Sequence, residues 1–568
     1  MKHFWLLCAL CLNTFVYAQN PPQAAIASAH PLATEAGKAI ILAGGNAFDA
    51  AVAITAVLAV VEPYSSGLGG GGFWLLKSKK MQKMVMLDGR EKAPMQAHRD
   101  MYVDQYGQYI AKSSVDGPLA AAIPGTVAAM THLAEQYGVL SLKQVLQPAI
   151  KYAREGFAVT AHYQQMVAFR LSVLQRYPSS SAVFLVNNEV PELGHLIVQN
   201  DLADTLEHIA QLGNAGFYQG NVAHKMVSAV QADKGIWQLA DLHHYKIKTR
   251  QPIVFNYQQM KITSVAPPSS GGIALATILQ ILQNFKLASL DETTQVHIIV
   301  EAMRRAYRDR AEFLGDSDFI AVPWERLTNA WYAAGLRESI RLDKALASKN
   351  LAAISLNKVN KVDRHTNQQG EGQDTTHFSV LDTQGNAVSA TMSINYPFGS
   401  GYVAQGTGVL LNDEMDDFSA MPGEPNVYGL VGAEANAIAP GKRPLSSMSP
   451  TIVETDESMA LLGTPGGSRI ITMVLLAILE MEKGTPIQQW AARPRFHHQY
   501  LPDSIFYEKE ALSVKQIKQL ENMGHNTRLT DHYGNMQLLN WNFKKGVQAV
   551  SDPRVEGQAV VFDVPGLN

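Results

Sequence analysis

The spacing of apolar positions changes several times along the chain, and the changes mark its elements. Residues 37–63, GKAIILAGGNAFDAAVAITAVLAVVEP, carry apolar residues at helical spacing on both sides of Gly44-Gly45-Asn46. That pattern predicts two helices with a break at the glycines. Ala50–Val61 is apolar but about a dozen residues long, shorter than the roughly 20 a bilayer span needs. It reads as a core helix. The helical period returns over residues 129–157, 201–230 and 272–312. Residues 340–374 are polar, and NKVNKVDRHTNQQGEGQ within them has no large apolar residue except valine. This stretch reads as a mobile linker. From Thr375 onward period-two alternation and Gly-rich turns predict mainly strands. The chain has no internal repeat and no low-complexity domain.

The boundary between linker and strands lies in GQDTTHFSVLDTQGNAVSATMSIN, Gly372–Asn395. A Thr pair there can be ordinary strand chemistry, because β-branched residues favour strands. It can also be reactive. Cutting the Asp374–Thr375 bond would leave the Thr375 hydroxyl beside its own free amine, and an N-terminal amine can activate a threonine. The α-amino pKa, about 7.7–8.0, suits a general base near neutral pH. Thr383-Gln384-Gly385 fits a three-residue hairpin loop. Asp382 then pairs with Asn386, Thr375 falls opposite Ser393, and Asn395 lies two residues on along the same face. A one-residue slip would reverse that face.

Composition narrows the class. The first 18 residues read as a signal peptide: a mildly basic start, an apolar run from Phe4 to Leu12, and small residues before a cut near Gln19. Leu7 and Leu10 stand where a lipid-attachment site needs a small residue. Both cysteines, Cys8 and Cys11, lie inside this leader, so disulfides, thiolate metal sites and a cysteine nucleophile are excluded from the mature chain. The expected location is periplasmic or secreted. A net charge of −3 offers no basic footprint for nucleic acid. Gly67, Gly69 and Gly72 match G-x-G-x-x-G formally, but a strand follows, so a tight loop against the site wall fits better than a nucleotide site. His243-His244 and His497-His498 are adjacent pairs, whose side chains point apart in a strand. No metal or cofactor is expected.

Several longer motifs occur in order: VEPYSSGLGGGGFWLL (Val61–Leu76), DGREKAP (Asp88–Pro94), APPSSGG (Ala266–Gly272), FGSGYVAQGTGVLLNDEMDDFS (Phe398–Ser419), KRPLSSMSPT (Lys442–Thr451) and TPGGSR (Thr464–Arg469). With Gly372–Asn395 they resemble γ-glutamyltranspeptidase from about Ala24 to about Arg554. The resemblance implies an α/β (α+β) fold of the N-terminal-nucleophile hydrolase type, a four-layer αββα sandwich with two stacked, mainly antiparallel sheets. It also implies a precursor cut between Asp374 and Thr375 into a large subunit, residues 19–374, and a small catalytic subunit, residues 375–568. Thr375 would be the nucleophile, with Ser393 bonding its amine and Gly466 and Gly467 forming an oxyanion hole. Arg90, Ser446 and Ser447 would hold a substrate α-carboxylate. Glu414, Asp417 and Asn395 would hold the α-amino group at the opposite side. Ser393 departs from the family pattern, where threonine is common, and its rotamer is less fixed without the methyl. Ala420–Gly429 would cover the site as a lid, with Tyr428 as its packing end. The implied partners are glutathione and other γ-glutamyl compounds, amino acid or dipeptide acceptors, and the second subunit of the same precursor. An acylase of the same architecture and an inactive secreted binding protein are the alternatives.

Overall fold

The computed structural model describes residues 20–81, 83–351 and 374–565. The expected leader and most of the expected linker lie outside the described residues.

Seven strands form the first sheet: β1 (Ala24–Ser28), β2 (Gly71–Lys77), β3 (Val85–Asp88), β4 (Lys248–Arg250), β5 (Thr376–Leu381), β6 (Ala387–Ser393) and β7 (Gln558–Phe562), in the spatial order β7-β1-β5-β6-β2-β3-β4. Every pairing in it is antiparallel. The second sheet has six antiparallel strands, Ile253–Tyr257, Met260–Ser264, Thr451–Glu454, Ser458–Leu462, Gln537–Asn542 and Gly546–Ser551. β1, from near the N-terminus, lies between β5 and the edge strand β7, which comes from near the C-terminus.

Strand alternation builds the layers. In β1, Ile26 packs into a core with helices, while Ala25 and Ala27 meet the other sheet. In β2, Trp74 and Leu76 face the helices and Leu75 faces inward. In the second sheet Ile452 and Leu461 point inward, whereas Val453 and Leu462 face a separate helical core. The order is therefore helices, sheet, sheet, helices: the four-layer αββα sandwich expected above.

Two helices against the first sheet, α1 (Pro31–Leu42) and α2 (Ala47–Val61), are separated at the expected glycine break, and Asn46 caps the second in a capping box with Asp49. Two long helices against the second sheet, α3 (Gly271–Leu282) and α4 (Glu292–Phe313), occupy the expected 272–312 region. The 201–230 region divides into three, Asn200–Leu212, Ala215–Tyr218 and Gly220–Ala232. The strand-rich C-terminal part also holds helices, including α5 (Ile470–Glu482), which is apolar and buried for almost its whole length. An all-round apolar helix has no amphipathic period to announce it. Among the described residues no helix is long and apolar enough to cross a membrane.

Candidate active site

The hairpin of β5 and β6 sets the site. Gly385 has φ +86°, its N–H donates to the Asp382 carbonyl, and the Asp382 N–H donates to the Asn386 carbonyl. Ala387 therefore pairs with Leu381, and Met392 with Thr376. One step further the register carries Thr375 opposite Ser393, as expected. Their hydroxyl oxygens lie 2.9 Å apart. Thr375 follows the face of His377 and Ser379, between the sheets. Thr376 points the other way, where its hydroxyl donates to Glu62 at 2.7 Å. Burial, opposed by that hydrogen bond, pushes Glu62 up to about 7.

Thr375 itself is strained. Its φ is +86°, a region that β-branched residues rarely enter, at a cost of about 1–3 kcal/mol. The strain sits on the residue that follows the expected cut. Ser393 is better fixed than its missing methyl suggests, because its hydroxyl oxygen accepts the Asn395 N–H at 2.8 Å. Asn395 lies beyond the end of β6 with φ +75°. It reaches the site through this left-handed turn, not through strand alternation.

Arg90, Thr375, Ser393, Asn395, Glu414, Asp417, Tyr428, Ser446, Ser447 and Gly467 line one cavity of about 20 Å³, room for about one water molecule. Gly466 precedes Gly467 in the turn that opens α5, with φ +136° and +53°. Both angles favour glycine. A Cβ on Gly467 would come within 2.5 Å of the Tyr428 ring. Asp374 does not line the cavity, but its carboxylate accepts a hydrogen bond from the Tyr428 hydroxyl.

One expectation is corrected. The cationic and anionic handles were placed at opposite sides, but they touch. Arg90 Nη1 lies 2.5 Å from Glu414 and Nη2 lies 2.5 Å from Asp417. Its Nε donates to the Pro444 carbonyl at 3.2 Å, and its backbone N–H donates to Asp88 at 2.9 Å. Burial works against the Arg90 charge, yet Glu414, Asp417 and Glu91 outweigh it and raise its pKa. Burial also pushes Glu414 well above the ordinary carboxyl range despite Arg90, and Glu91 to about 7. Three carboxyls thus surround one guanidinium.

The covering loop is tied down. Asn426 donates to Asp417 at 3.0 Å, the Val427 N–H donates to Asp416 at 2.9 Å, and the Tyr428 hydroxyl lies 2.8 Å from the Asn395 carbonyl oxygen. Gln499 bonds the Tyr428 carbonyl from behind at 3.0 Å. Gly67–Gly70 forms the tight loop expected, and Gly71 and Gly72 open β2. A Cβ on Gly70 would meet the Ser393 carbonyl oxygen at 2.1 Å.

Two contributors were not singled out in the sequence. Arg310, near the end of α4, donates to Ser447 Oγ at 3.3 Å and to Ser270 Oγ at 3.1 Å. Ser270 in turn donates to the Ser446 carbonyl at 2.8 Å. In the sequence Arg310 is one of four arginines between Arg304 and Arg310 on a helical pattern, so only the SS pair in APPSSGG hinted at this support. The histidine pair 497–498 is occupied within the protein. Thr472 and Gln499 bond His497, while Asp503 and the Tyr500 N–H bond His498.

The chain as a whole is similar to known proteins. The Gamma-glutamyltranspeptidase family model matches residues 33–562. A glutathione hydrolase proenzyme of Escherichia coli is 42% identical over 537 residues, covering 94% of this chain and 90% of that one. One from Bacillus subtilis is 35% identical, covering 94% and 91%. A cephalosporin acylase structure from Bacillus halodurans superposes with TM-score 0.80 at 25% identity, over 95% and 96% of the two chains. A Helicobacter pylori γ-glutamyltranspeptidase structure is 41% identical with TM-score 0.56, covering 57% of this chain and 94% of that one.

Proposed function

We propose a two-stage chemistry for this chain, which belongs to the γ-glutamyltranspeptidase family: self-cleavage before Thr375, then γ-glutamyl transfer by the freed threonine. The protein is an acyl-transfer enzyme, a γ-glutamyltransferase and glutathione hydrolase. In the first stage Thr375 Oγ attacks the Asp374 carbonyl carbon. The C–N bond breaks as the nitrogen takes a proton, leaving an ester. Water hydrolyses the ester, giving the Asp374 carboxylate and a free Thr375 amine and hydroxyl. The precursor reading agrees with the word proenzyme in the names of the relatives.

In the second stage the amine takes the hydroxyl proton while Thr375 Oγ attacks the γ-carbonyl of a donor such as glutathione. Charge developing on that oxygen meets the Gly466–Gly467 turn at the start of α5, where backbone N–H groups and the helix dipole favour an anion. The leaving amine departs, and water, an amino acid or a dipeptide takes the γ-glutamyl group from the ester. Glu414, Asp417 and Asn395 hold the donor's ammonium, and Arg90, Ser446 and Ser447 hold its carboxylate. The expected leader further supports export to the periplasm or medium.

The observation that carries this reading is the placement of Thr375, strained, buried and 2.9 Å from Ser393, in the cavity that also holds the charged set. Its test is direct. Thr375→Ala should remain one chain on a denaturing gel, while the small subunit of the unaltered protein should begin Thr-Thr-His-Phe. Another N-terminus would remove Thr375 from the role of nucleophile. Turnover of γ-glutamyl-p-nitroanilide, with and without glycylglycine, separates hydrolysis and transfer from acylase activity on donors lacking the α-amino group.

A further inference from the structure

Arg310 is nearly fully buried on α4. Among the described residues no carboxylate comes within ion-pairing distance of it, and its Nε and Nη2 donate to Ser270 and Ser447. Burial lowers its pKa, and the neighbouring charge of Arg90 lowers it further, while Asp417 opposes both. A buried cation without a counter-ion is costly, and this one stands directly behind the cavity wall. The same cavity has its other guanidinium, Arg90, already engaged by two carboxylates and a backbone carbonyl.

The hydrogen-bond directions around Arg310 are informative. A guanidinium only donates. Ser447 Oγ must therefore accept from Arg310, which leaves its hydroxyl hydrogen to be given elsewhere. Ser446 Oγ likewise accepts from the Met448 N–H at 3.0 Å. Ser270 accepts from Arg310 and passes its own hydrogen to the Ser446 carbonyl. Its backbone N–H donates to that same carbonyl at 2.9 Å. Both cavity-lining serines are thus supplied with a donor from behind and left free to donate forward, an arrangement that selects an anion.

We propose that Arg310 is the positioning residue of the carboxylate end of the pocket: it orients Ser447 directly, and Ser446 through Ser270, as donors to the substrate α-carboxylate, and supplies the positive charge that Arg90 spends on Glu414 and Asp417. This rests on the proposed reading of the cavity as a γ-glutamyl site. Arg310 acts through the serines and does not touch the reacting atoms. Its loss should weaken donor binding without slowing the chemical step.

The test pairs a change in the protein with a change in the donor. Arg310→Gln should raise KM for γ-glutamyl-p-nitroanilide by about 10- to 100-fold, the scale of one hydrogen bond to a charged group, with kcat within a few-fold. For 4-aminobutyryl-p-nitroanilide, which keeps the amine and lacks only the α-carboxylate, kcat/KM should be the same in both proteins. Arg310→Lys should recover part of the loss for the γ-glutamyl donor alone. Ser270→Ala, which cuts one arm and keeps the charge, should raise KM for that donor less than Arg310→Gln does. It also carries the test if Arg310→Gln fails to fold. Equal losses on both donors, or a loss confined to kcat, would overturn the proposal and leave Arg310 as a structural tether. If the unaltered enzyme does not favour the γ-glutamyl donor over the 4-aminobutyryl one, the carboxylate reading of the pocket falls instead.

Discussion

At the residue scale the decisive contact is between charges that are remote in sequence. Arg90 and Asp417 are 327 positions apart, yet they close the pocket against each other. Removing Arg90 therefore has two effects. On the proposed reading it deletes a partner for the donor carboxylate, and it leaves Glu414 and Asp417 without their counter-charge. We expect Arg90→Ala to lose about 2–5 kcal/mol in kcat/KM for a γ-glutamyl donor, mainly through KM. Cleavage into two chains should persist, because the proposed attack of Thr375 on the Asp374 carbonyl does not use Arg90. An unchanged KM would count against the role. The contrast with Thr375 explains what the sequence can disclose. The pairing of Thr375 with Ser393 follows from a local turn of fixed length, so counting outward from Gly385 reached it. The meeting of Arg90 with Glu414 is a product of tertiary folding, and no local pattern encodes that the two charge signs share a wall. Arg310 was hidden for the same reason: on a helix rich in arginine, its distinction is the tertiary contact with Ser270 and Ser447 behind the cavity.

At the element scale we propose that the segment Ala420–Gly429 acts as a cover over the cavity, which Tyr428 lines. The cavity beneath it has room for about one water, and a glutamyl group is far larger. As a cover, the loop would lift by breaking the bonds of Asn426 to Asp417, Val427 to Asp416, and Tyr428 to Asn395 and Asp374. Three of these four anchor residues lie within the acidic turn or the proposed cut itself, so lid closure and charge placement are coupled. Deleting residues 422–429 should leave self-cleavage intact and raise activity on bulky γ-glutamyl donors relative to glutathione, since a cover restricts what can enter. Should small and bulky donors change by one common factor, the loop is not a selective lid. The prolines, glycines and position of this segment mark it in the sequence as a loop after the acidic turn. Helix α5 was not, because a fully buried helix shows neither period clearly.

At the scale of the whole molecule the two stacked sheets with helices outside are what the resemblance implies, and the structure shows the reason: central strands such as β1 and β2 bury one face against helices and the other against the second sheet. How the end of the large segment is fastened was not foreseeable. Residues 341–348 are held by a buried polar network drawn from both sides of the proposed cut. His297 bonds the Arg341 carbonyl at 2.6 Å and His525 at 2.7 Å, Arg304 bonds Ser348, Asp503 and His525, and Asp503 accepts from the Ser348 N–H at 2.7 Å. His498 lies 3.2 Å from the same Asp503. Burial first, and then the Arg304 charge, lower His498 to about 4 and His525 to about 2. The unfolded value is near 6.5. From pH 6.5 down to about 4 the unfolded chain therefore takes up a proton that folded His498 refuses. The stability His498 contributes is whole above pH 6.5 and declines through that window. Buried carboxyls raised to about 7, such as Glu62, Glu91 and Asp416, pull the opposite way over much of it, so the total acid profile mixes both signs. A single-site comparison isolates the histidine. His498→Gln keeps a polar side chain but cannot titrate. The unfolding free energy of the unaltered protein, minus that of His498→Gln, should shrink by about 2–3 kcal/mol between pH 7 and pH 4.5. Urea unfolding at the two pH values measures it. A difference that stays constant would mean that His498 titrates alike in both states, and that the network does not hold it neutral.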